Sequence, residues 1–355
     1  MENSKKILLN FYGVTVEVSG DSKTVERIES DFAFFCPAGN NLSYKNAKQA
    51  NVKLEIHSIL PDYSKLPRAK AKVYKENCIS YDYKSTRYTD YKGKALSIYS
   101  FKSGNGKIFS KDTDLLYEIS YLFIHSRAGE LLDLKGIHRL HAAAFSYRNN
   151  IFVLMLPSGG GKTTFLIEAM KNPEVKMLSD DTPLINSKGE VLPFPVRLGI
   201  CETDSTQGID NKYITMFKRS THNAKRLVSY EYFKNKVELA ACDKARRTIP
   251  VNLICADRFW TNKGALKKIS KISASPVLLK NLISGYGIPQ VVEFFIKLTF
   301  KDFFVKSYIG ACRFFTSCRF LLKCKNAYYF KLGNNAADNV AYFFDYFSKK
   351  TTKNH

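Results

Sequence analysis

A glycine-rich segment in the middle of the chain has the residue types needed to bind a polyphosphate. Residues 157–164 read PSGGGKTT; they follow the apolar run Ile151–Leu156 and precede an amphipathic segment that begins at Thr163. The apolar run is typical of a buried strand, and the amphipathic segment is typical of a helix. Successive glycines let main-chain N–H groups approach an anion without a Cβ in the way, and the N-terminus of a helix adds further N–H donors. The sequence therefore predicts a strand, a phosphate-binding turn and a helix.

The residues of this turn have separable roles. Lys162 supplies a positive charge, and the hydroxyl of Thr163 can complete the shell of a Mg²⁺ ion carried by a nucleotide. The full phosphate-loop pattern has a glycine where this chain has Leu156, so the match is incomplete. The alternative is a glycine-rich turn that binds nothing. We expect the nucleotide-binding residues to be Ser158, Gly159, Gly160, Gly161, Lys162, Thr163 and Thr164.

Two adjacent carboxylates follow the next predicted strand. Val175–Leu178 reads as a strand, and Ser179, Asp180 and Asp181 come directly after it. Open α/β sheets place their chemistry at the carboxyl ends of strands, where a carboxylate can bind a metal ion or act as a base. We expect Asp180 to bind the metal together with Thr163, and the alternative is a helix cap beside a surface carboxylate.

His141 lies on a small-residue segment, Leu140–Tyr147, which is predicted to be a strand paired with the strand before the turn. A histidine there could bind a metal, contact phosphate or relay a proton, and a satisfied core histidine is the alternative. Arg197, Arg246 and Arg247 are weaker candidates for contacts with phosphate or substrate. Solvent-exposed arginines are the favoured alternative for these three.

The composition is that of a basic globular protein. The 355 residues are 45% hydrophobic and carry a formal net charge of +23. Only five acidic residues follow Ala256, against seventeen Lys and Arg. This balance predicts an anionic partner, although a solvated basic face explains the C-terminal charge equally well. Nucleic-acid binding has only this composition behind it and ranks last.

Cysteines and apolar runs bear on the cellular compartment. The eight cysteines include no CxxC pair and no histidines at zinc spacing, so we expect a reducing compartment without a disulfide framework. The apolar stretch Ile7–Val18 is interrupted by Asn10 and Glu17, and no run has the roughly 18 apolar residues that a membrane helix needs. These features predict a soluble, cytoplasmic protein with no membrane span.

The predicted organisation is α/β, or α+β overall. An N-terminal β-rich domain spans 1–110, a connecting helix spans 111–134, and a nucleotide-binding domain with a mixed sheet spans 135–348. That domain contains a basic insertion at 199–248 and ends in a segment of helices and strands. Within this last segment Phe320–Leu332 is expected to form a pair of strands and Ala336–Phe347 a helix. Residues 349–355 are expected to be a disordered tail.

The order of these motifs resembles the HPr kinase/phosphorylase family, whose nucleotide core is similar to that of the ATP-dependent phosphoenolpyruvate carboxykinases. The His141 strand, PSGGGKTT, the segment LSDD ending at Asp181, and PFPVRLGI over Pro193–Ile200 carry the resemblance, which covers about residues 135–260. The chain departs from the family at Leu156 and at Ala142, where HPr kinases tend to have glycine. The resemblance is nearer to the HPr-kinase-like proteins of bacterial gene clusters, some of which phosphorylate peptides.

The resemblance implies a phosphate-loop core that binds ATP and Mg²⁺. It gives phosphate and metal binding to Lys162 and Thr163, the roles of metal ligand and base to Asp180 and Asp181, and the family histidine's role to His141. It implies a kinase that transfers a phosphoryl group to a hydroxyl, with serine as the favoured acceptor, on a protein, peptide or small molecule. An acidic peptide or protein suits the basic chain, and the relatives assemble as homo-oligomers. The alternative function is a catalytically silent nucleotide-binding module that engages an acidic partner.

Overall fold

The computed structural model describes residues 4–36, 50–201, 209–217, 225–238, 249–261, 264–283, 297 and 299–352. The chain forms two compact units. Unit 1 comprises 1–135, 201–232 and 288–307, and unit 2 comprises 136–200, 233–287 and 308–355. These boundaries differ from the predicted ones, because the segment 111–134 belongs to unit 1 and part of the predicted insertion returns to unit 1 as well.

Unit 1 is built on an eight-stranded sheet. The strands have the order β1-β2-β3-β8-β7-β6-β5-β4, and pairs formed by neighbouring strands of the chain are antiparallel, apart from the parallel pair β2–β3. β3 and β8 are also parallel. The strands are β1 (Ser4–Phe11), β2 (Val14–Asp21), β3 (Val52–His57), β4 (Ala71–Tyr74), β5 (Ile79–Tyr83), β6 (Thr86–Asp90), β7 (Ala95–Ser100) and β8 (Asn105–Ser110).

In the described part of unit 1, two helices from the first 135 residues pack against the eight-stranded sheet. α1 (Ser22–Asp31) and α2 (Thr113–Leu134) are each capped by an aspartate, Asp21 and Asp112, whose carboxylate accepts from N–H groups of the first turn. α2 lies against β8 so closely that a Cβ on Gly106 would stand 2.5 Å from the ring of Phe123. The predicted connecting helix is therefore part of the core of unit 1. Two short strands later in the chain, β16 (Ile214–Phe217) and β17 (Lys225–Val228), also belong to unit 1, whereas β15 (Leu198–Cys201) and α4 (Tyr230–Phe233) each extend across a boundary between the units.

Unit 2 contains a mixed six-stranded sheet in the order β12-β10-β11-β18-β20-β19. β11, β18 and β20 are parallel, whereas β10 is antiparallel to both β11 and β12. β12 consequently runs in the same direction as β11. The strands are β10 (Ala143–Tyr147), β11 (Asn150–Met155), β12 (Lys176–Ser179), β18 (Val251–Arg258), β19 (Ala265–Ile269) and β20 (Asn326–Leu332); a smaller sheet is formed by β9 (Ile137–Arg139), β13 (Leu184–Asn186) and β14 (Val191–Leu192).

Helices cover both faces of this six-stranded sheet. On one face an aromatic cluster joins the sheet to α3 (Lys162–Ala169) and α7 (Ala336–Thr352), with the ring of Phe343 5.0–5.7 Å from those of Phe145, Phe152 and Phe165. On the other face the apolar core includes residues of α5 (Lys271–Ile283) and the C-terminal end of α6 (Phe300–Lys323). Alternate residues of β11 supply the two cores, because successive side chains of a strand point to opposite faces. The expected combination of helices with a mixed sheet is confirmed.

Two predictions near the C-terminus are wrong. The segment expected to form a strand pair is the end of α6 followed by the single strand β20, because an apolar run of this length fits a helix as well as a strand. The predicted tail begins inside a helix, since α7 continues to Thr352, and residues 353–355 lie outside the described residues. In the part of the chain that the structure describes, no helix has the length and apolar character that crossing a membrane would require.

Candidate functional site

The glycine-rich turn joins the end of β11 to the start of α3. Gly161 caps α3 with φ +96°, and Gly159 has φ +74°, so both occupy the left-handed region that disfavours a side chain. At Gly160 a Cβ would stand 2.9 Å from the carbonyl oxygen of Pro157, which accepts a hydrogen bond from the Gly160 N–H at 3.0 Å. The turn thus ends at the N-terminus of α3, where the first main-chain N–H groups have no partner within the helix and can donate to an anion.

Leu156 occupies the position where the phosphate-loop pattern has glycine, and its side chain packs beneath Gly160 of the turn. Its side chain is buried, and its carbonyl oxygen accepts a hydrogen bond from Lys162 Nζ at 3.2 Å. Lys162 is only 7% exposed, so its ammonium group is held against the turn instead of extending into solvent. Burial lowers the pKa of Lys162 below its ordinary value, while the carboxylates of Asp181 and Asp180 oppose that shift.

His141 links the lysine to one of the two aspartates. His141 Nε2 lies 3.0 Å from Lys162 Nζ, and His141 Nδ1 lies 3.2 Å from Asp181 Oδ1. An ammonium group only donates, so with Lys162 protonated Nε2 accepts a hydrogen bond from Lys162 Nζ, and Nδ1 carries the hydrogen that faces the carboxylate of Asp181. Lys162 Nζ and Asp181 Oδ1 are 3.8 Å apart. Lysine, histidine and aspartate therefore form a continuous chain of polar contacts.

The neighbouring aspartate faces the threonine at the start of α3. Thr163 Oγ1 donates to Asp180 Oδ2 at 2.9 Å. Asp180 is buried, whereas the side chain of Asp181 is 57% exposed. The two adjacent carboxylates consequently have different surroundings: one lies against the hydroxyl of the helix N-terminus, and the other is open to solvent beside the histidine.

The sheet explains why these residues meet. Because β10 runs opposite to β11 and β12, residues that precede β10 and residues that follow the other two strands share one edge of the sheet. His141 stands two residues before β10, and not within the strand as predicted. The Ala142 N–H donates to the Asp181 carbonyl oxygen at 3.3 Å, and the His141 N–H donates to the Asn281 carbonyl oxygen at 3.2 Å. The main chain thus fixes the histidine beside the aspartate.

An arginine at the same edge was not predicted from the sequence. Arg258 ends β18, the parallel neighbour of β11, and its Nη1 lies 3.9 Å from the point where a Cβ of Gly161 would stand. Its Nη2 donates to the carbonyl oxygen of Asn334 at 3.0 Å. The signal that could have found it is its position at the carboxyl end of a core strand.

The remaining predicted site residues are Ser158, Thr164 and three arginines. Ser158 is exposed and Thr164 is half-buried, both within or next to the turn. Arg197 is buried, which excludes the solvent-exposed alternative for this residue. Arg246 and Arg247 lie outside the described residues.

The residues near the turn offer few oxygen ligands for a metal ion. Within the described ranges, no group of three or more His, Cys, Asp or Glu side chains could hold a metal ion. A nucleotide-bound Mg²⁺ takes most of its ligands from phosphates and water and needs one or two protein oxygens. Thr163 and Asp180 fit that smaller requirement. No protein-family model matches this chain, and no curated protein matches it in sequence.

Proposed function

We propose that this protein is an ATP-dependent kinase that transfers the γ-phosphoryl group to a hydroxyl acceptor. The observation that carries the proposal is the meeting of Lys162, His141 and Asp181 with the Thr163–Asp180 pair at the glycine turn. Phosphoryl transfer requires little covalent chemistry from the protein, and it depends on positioning and charge stabilisation. A turn that presents N–H groups, a lysine and separately placed carboxylates supplies both.

The lysine and the turn would hold the phosphates. The N–H groups at the start of α3 and the ammonium group of Lys162 would face the β- and γ-phosphates, and Arg258 would approach from the neighbouring strand. Burial favours this use of the lysine, because desolvation strengthens the interaction of its ammonium group with a phosphate. The same burial disfavours the charged lysine when no anion faces it. A nucleotide would therefore relieve an unfavourable charge.

Asp181 is the better candidate for the base. Its carboxylate is open to solvent, so an acceptor hydroxyl can reach it, whereas the carboxylate of Asp180 is buried against Thr163. In the proposed reaction the carboxylate of Asp181 accepts the hydroxyl proton while the oxygen attacks the γ-phosphorus, the bond to the bridging oxygen breaks, and ADP leaves. His141, donating from Nδ1, holds Asp181 in place.

Thr163 and Asp180 would hold Mg²⁺. Their two oxygens are adjacent and belong to the hard ligand type that this ion prefers. When bound with the nucleotide, the ion supplies neutralisation of charge on the phosphates. The protein's own contribution is to fix these two oxygens at the helix N-terminus.

The resemblance to HPr-kinase-like proteins and the charge of +23 together favour a phosphate-accepting serine on an acidic peptide or protein. A phosphate-loop core of the HPr kinase and phosphoenolpyruvate carboxykinase type is part of this proposal. The mixed sheet with one antiparallel strand between β11 and β12, and the aspartate pair after β12, support it.

Labelled ATP tests the proposal. The full chain is incubated with γ-labelled ATP, Mg²⁺ and a mixture of acidic serine-containing peptides, and label on peptide is measured. We expect Asp181→Asn to lower transfer roughly a hundredfold or more while ATP still binds, because a general base contributes about that much. Asp180→Asn should weaken transfer as well. Asp210→Asn, which changes an exposed aspartate paired with Lys212, is the matched control and should transfer at the wild-type rate.

The result also separates the second candidate function. That candidate is a nucleotide-binding module without catalysis, in which the basic C-terminal region engages an acidic partner. ATP binding without transfer to any peptide, protein or water in the wild-type chain would support the silent module. Equal transfer by wild type and Asp181→Asn would contradict the kinase mechanism.

A further inference from the structure

The helix α6 presents large apolar side chains to solvent. It is 24 residues long and extends about 36 Å at the usual rise per residue. Surface helices normally bury their apolar stripe and expose their polar one. On α6 the following large apolar side chains are each more than half exposed: Phe300, Phe303, Phe304, Tyr308, Phe315 and Leu322.

The buried side of α6 is unusually polar. Asp302, Arg313, Thr316 and Ser317 are all buried, alongside the apolar Ile309 and Phe320. Arg313 Nη1 donates to the carbonyl oxygen of Leu282 at 2.9 Å. The helix is thus anchored partly by polar contacts, while most of its aromatic residues point away from the protein. This arrangement is the reverse of the usual one and marks an interaction surface.

The exposed apolar face is broad. At about 100° per residue, its side chains fall within a sector roughly 140° wide. Phenylalanines occur at adjacent positions twice, at 303 with 304 and at 314 with 315, which widens the face beyond the narrow seam of two positions per heptad that a coiled-coil partner reads. A broad and continuous face suits an extended fluid surface better than a single partner helix.

The charge on α6 selects an anionic surface. Its exposed charged residues are Lys301, Arg319 and Lys323, all basic, and its one acidic residue, Asp302, is buried. A second copy of the chain would bring the same positive charges and the same net charge of +23, so repulsion opposes self-association through this face. Anionic lipid complements both parts of this surface, because its acyl chains suit the exposed apolar face and its phosphates suit Lys301, Arg319 and Lys323.

We propose that α6 docks on an anionic lipid surface and lies in the plane of the interface. The aromatic side chains enter the boundary between headgroups and acyl chains, and the three basic residues pair with lipid phosphates. This docking is peripheral. It is independent of the proposed kinase activity, because it uses none of the residues at the glycine turn.

Vesicle flotation tests the docking. The full chain is mixed with phosphatidylcholine vesicles, or with vesicles that also contain phosphatidylserine, and the fraction that floats is measured. We expect binding to the anionic vesicles only, and weaker binding as salt rises. The double variant Phe303→Ser, Phe304→Ser should lose roughly tenfold or more in partitioning, since it removes two aromatic anchors from the interface.

Charge variants and a matched control sharpen the test. Lys301→Glu and Lys323→Glu should each weaken partitioning by about fivefold or more, the effect of one basic residue near an anionic membrane. Tyr74→Ser, which removes another aromatic residue that is 73% exposed, should partition like wild type. All substituted side chains are exposed, so thermal unfolding by circular dichroism should stay unchanged and loss of fold can be told apart from loss of docking.

Several outcomes would overturn the proposal. They are absence of binding to either vesicle, equal binding to neutral and anionic vesicles, and wild-type partitioning by the double phenylalanine variant. A drop in molar mass by light scattering in that variant would assign the face to a second copy instead. Binding to an acidic helical peptide but not to vesicles would assign it to a protein partner.

Discussion

Replacing Lys162 by methionine tests two effects of its buried charge: the charge lowers the stability of the folded protein, and in the proposed site it binds the nucleotide's phosphates. In the folded protein burial lowers the pKa of Lys162, so between that lowered value and the unfolded value the unfolded chain binds more protons. The free energy of unfolding therefore rises with pH through that window, and below it the lysine is charged in both states and its full cost is present. Methionine, of similar length, removes this cost at neutral pH.

The substitution also removes contacts, and the two effects oppose each other. The ammonium group contacts His141 Nε2 and the Leu156 carbonyl oxygen, and each lost hydrogen bond is worth about 1 kcal/mol. We expect the free energy of unfolding of Lys162→Met without nucleotide to stay within about 1 kcal/mol of wild type at neutral pH, because removal of the desolvation cost offsets those losses. At alkaline pH the wild type gains stability that the variant does not.

Nucleotide should distinguish the two proteins clearly. A ligand at a hundred times its Kd stabilises the folded state by about 2.7 kcal/mol. For a folding unit of this size that raises the wild-type Tm by roughly 5–10 °C. In Lys162→Met the shift should vanish. The assay is thermal unfolding followed by circular dichroism with and without ATP and Mg²⁺, repeated at neutral and alkaline pH.

A nearby lysine provides the control. Lys171 follows α3, is about half exposed and pairs with Glu168 at 2.6 Å, so Lys171→Met should keep the full nucleotide shift. A wild-type shift in Lys162→Met would exclude Lys162 from the nucleotide site. A fall of more than about 10 °C in the variant's Tm without nucleotide would contradict the expected stability, since the lysine would then be a structural residue.

Three further predictions concern other parts of unit 2. Arg258→Ala should lower phosphoryl transfer roughly a hundredfold while leaving Tm unchanged, because the side chain is exposed beside Gly161; an unchanged rate would exclude it from the site. Phe343→Ala should cost about 3–5 kcal/mol in urea unfolding, because the ring is fully buried among aromatic neighbours; a loss below about 1 kcal/mol would contradict that packing. Peptide mapping after alkylation at pH 8 should find Cys318 modified and Cys255 protected until the protein unfolds, because burial raises the pKa of Cys255 to about 12; equal rates would contradict the burial.

The sequence was most informative where the signal is local. The apolar run, the glycines and the amphipathic segment predicted β11, the turn and α3, because each is specified by residues within a few positions. The same holds for β12 and the aspartates after it. Roles for these residues came from the family resemblance, and they remain predictions.

Features that depend on which strands pair were missed by these local patterns. Arg258 approaches Gly161 because β18 pairs with β11, and no local pattern reports which strands pair. The return of residues 201–232 to unit 1 is equally non-local. The end of α6 was predicted to be a strand because the apolar run that begins at Phe320 is too short to separate the helical period from the strand period.

The antiparallel placement of β10 has a consequence for how the site forms. Since His141, Lys162 and Asp181 all belong to one uninterrupted stretch of chain, the pairing of three consecutive strands is enough to assemble them. Contacts of low sequence separation form quickly and at small entropic cost. Long insertions elsewhere in the protein can therefore vary in length and composition without moving these three groups apart.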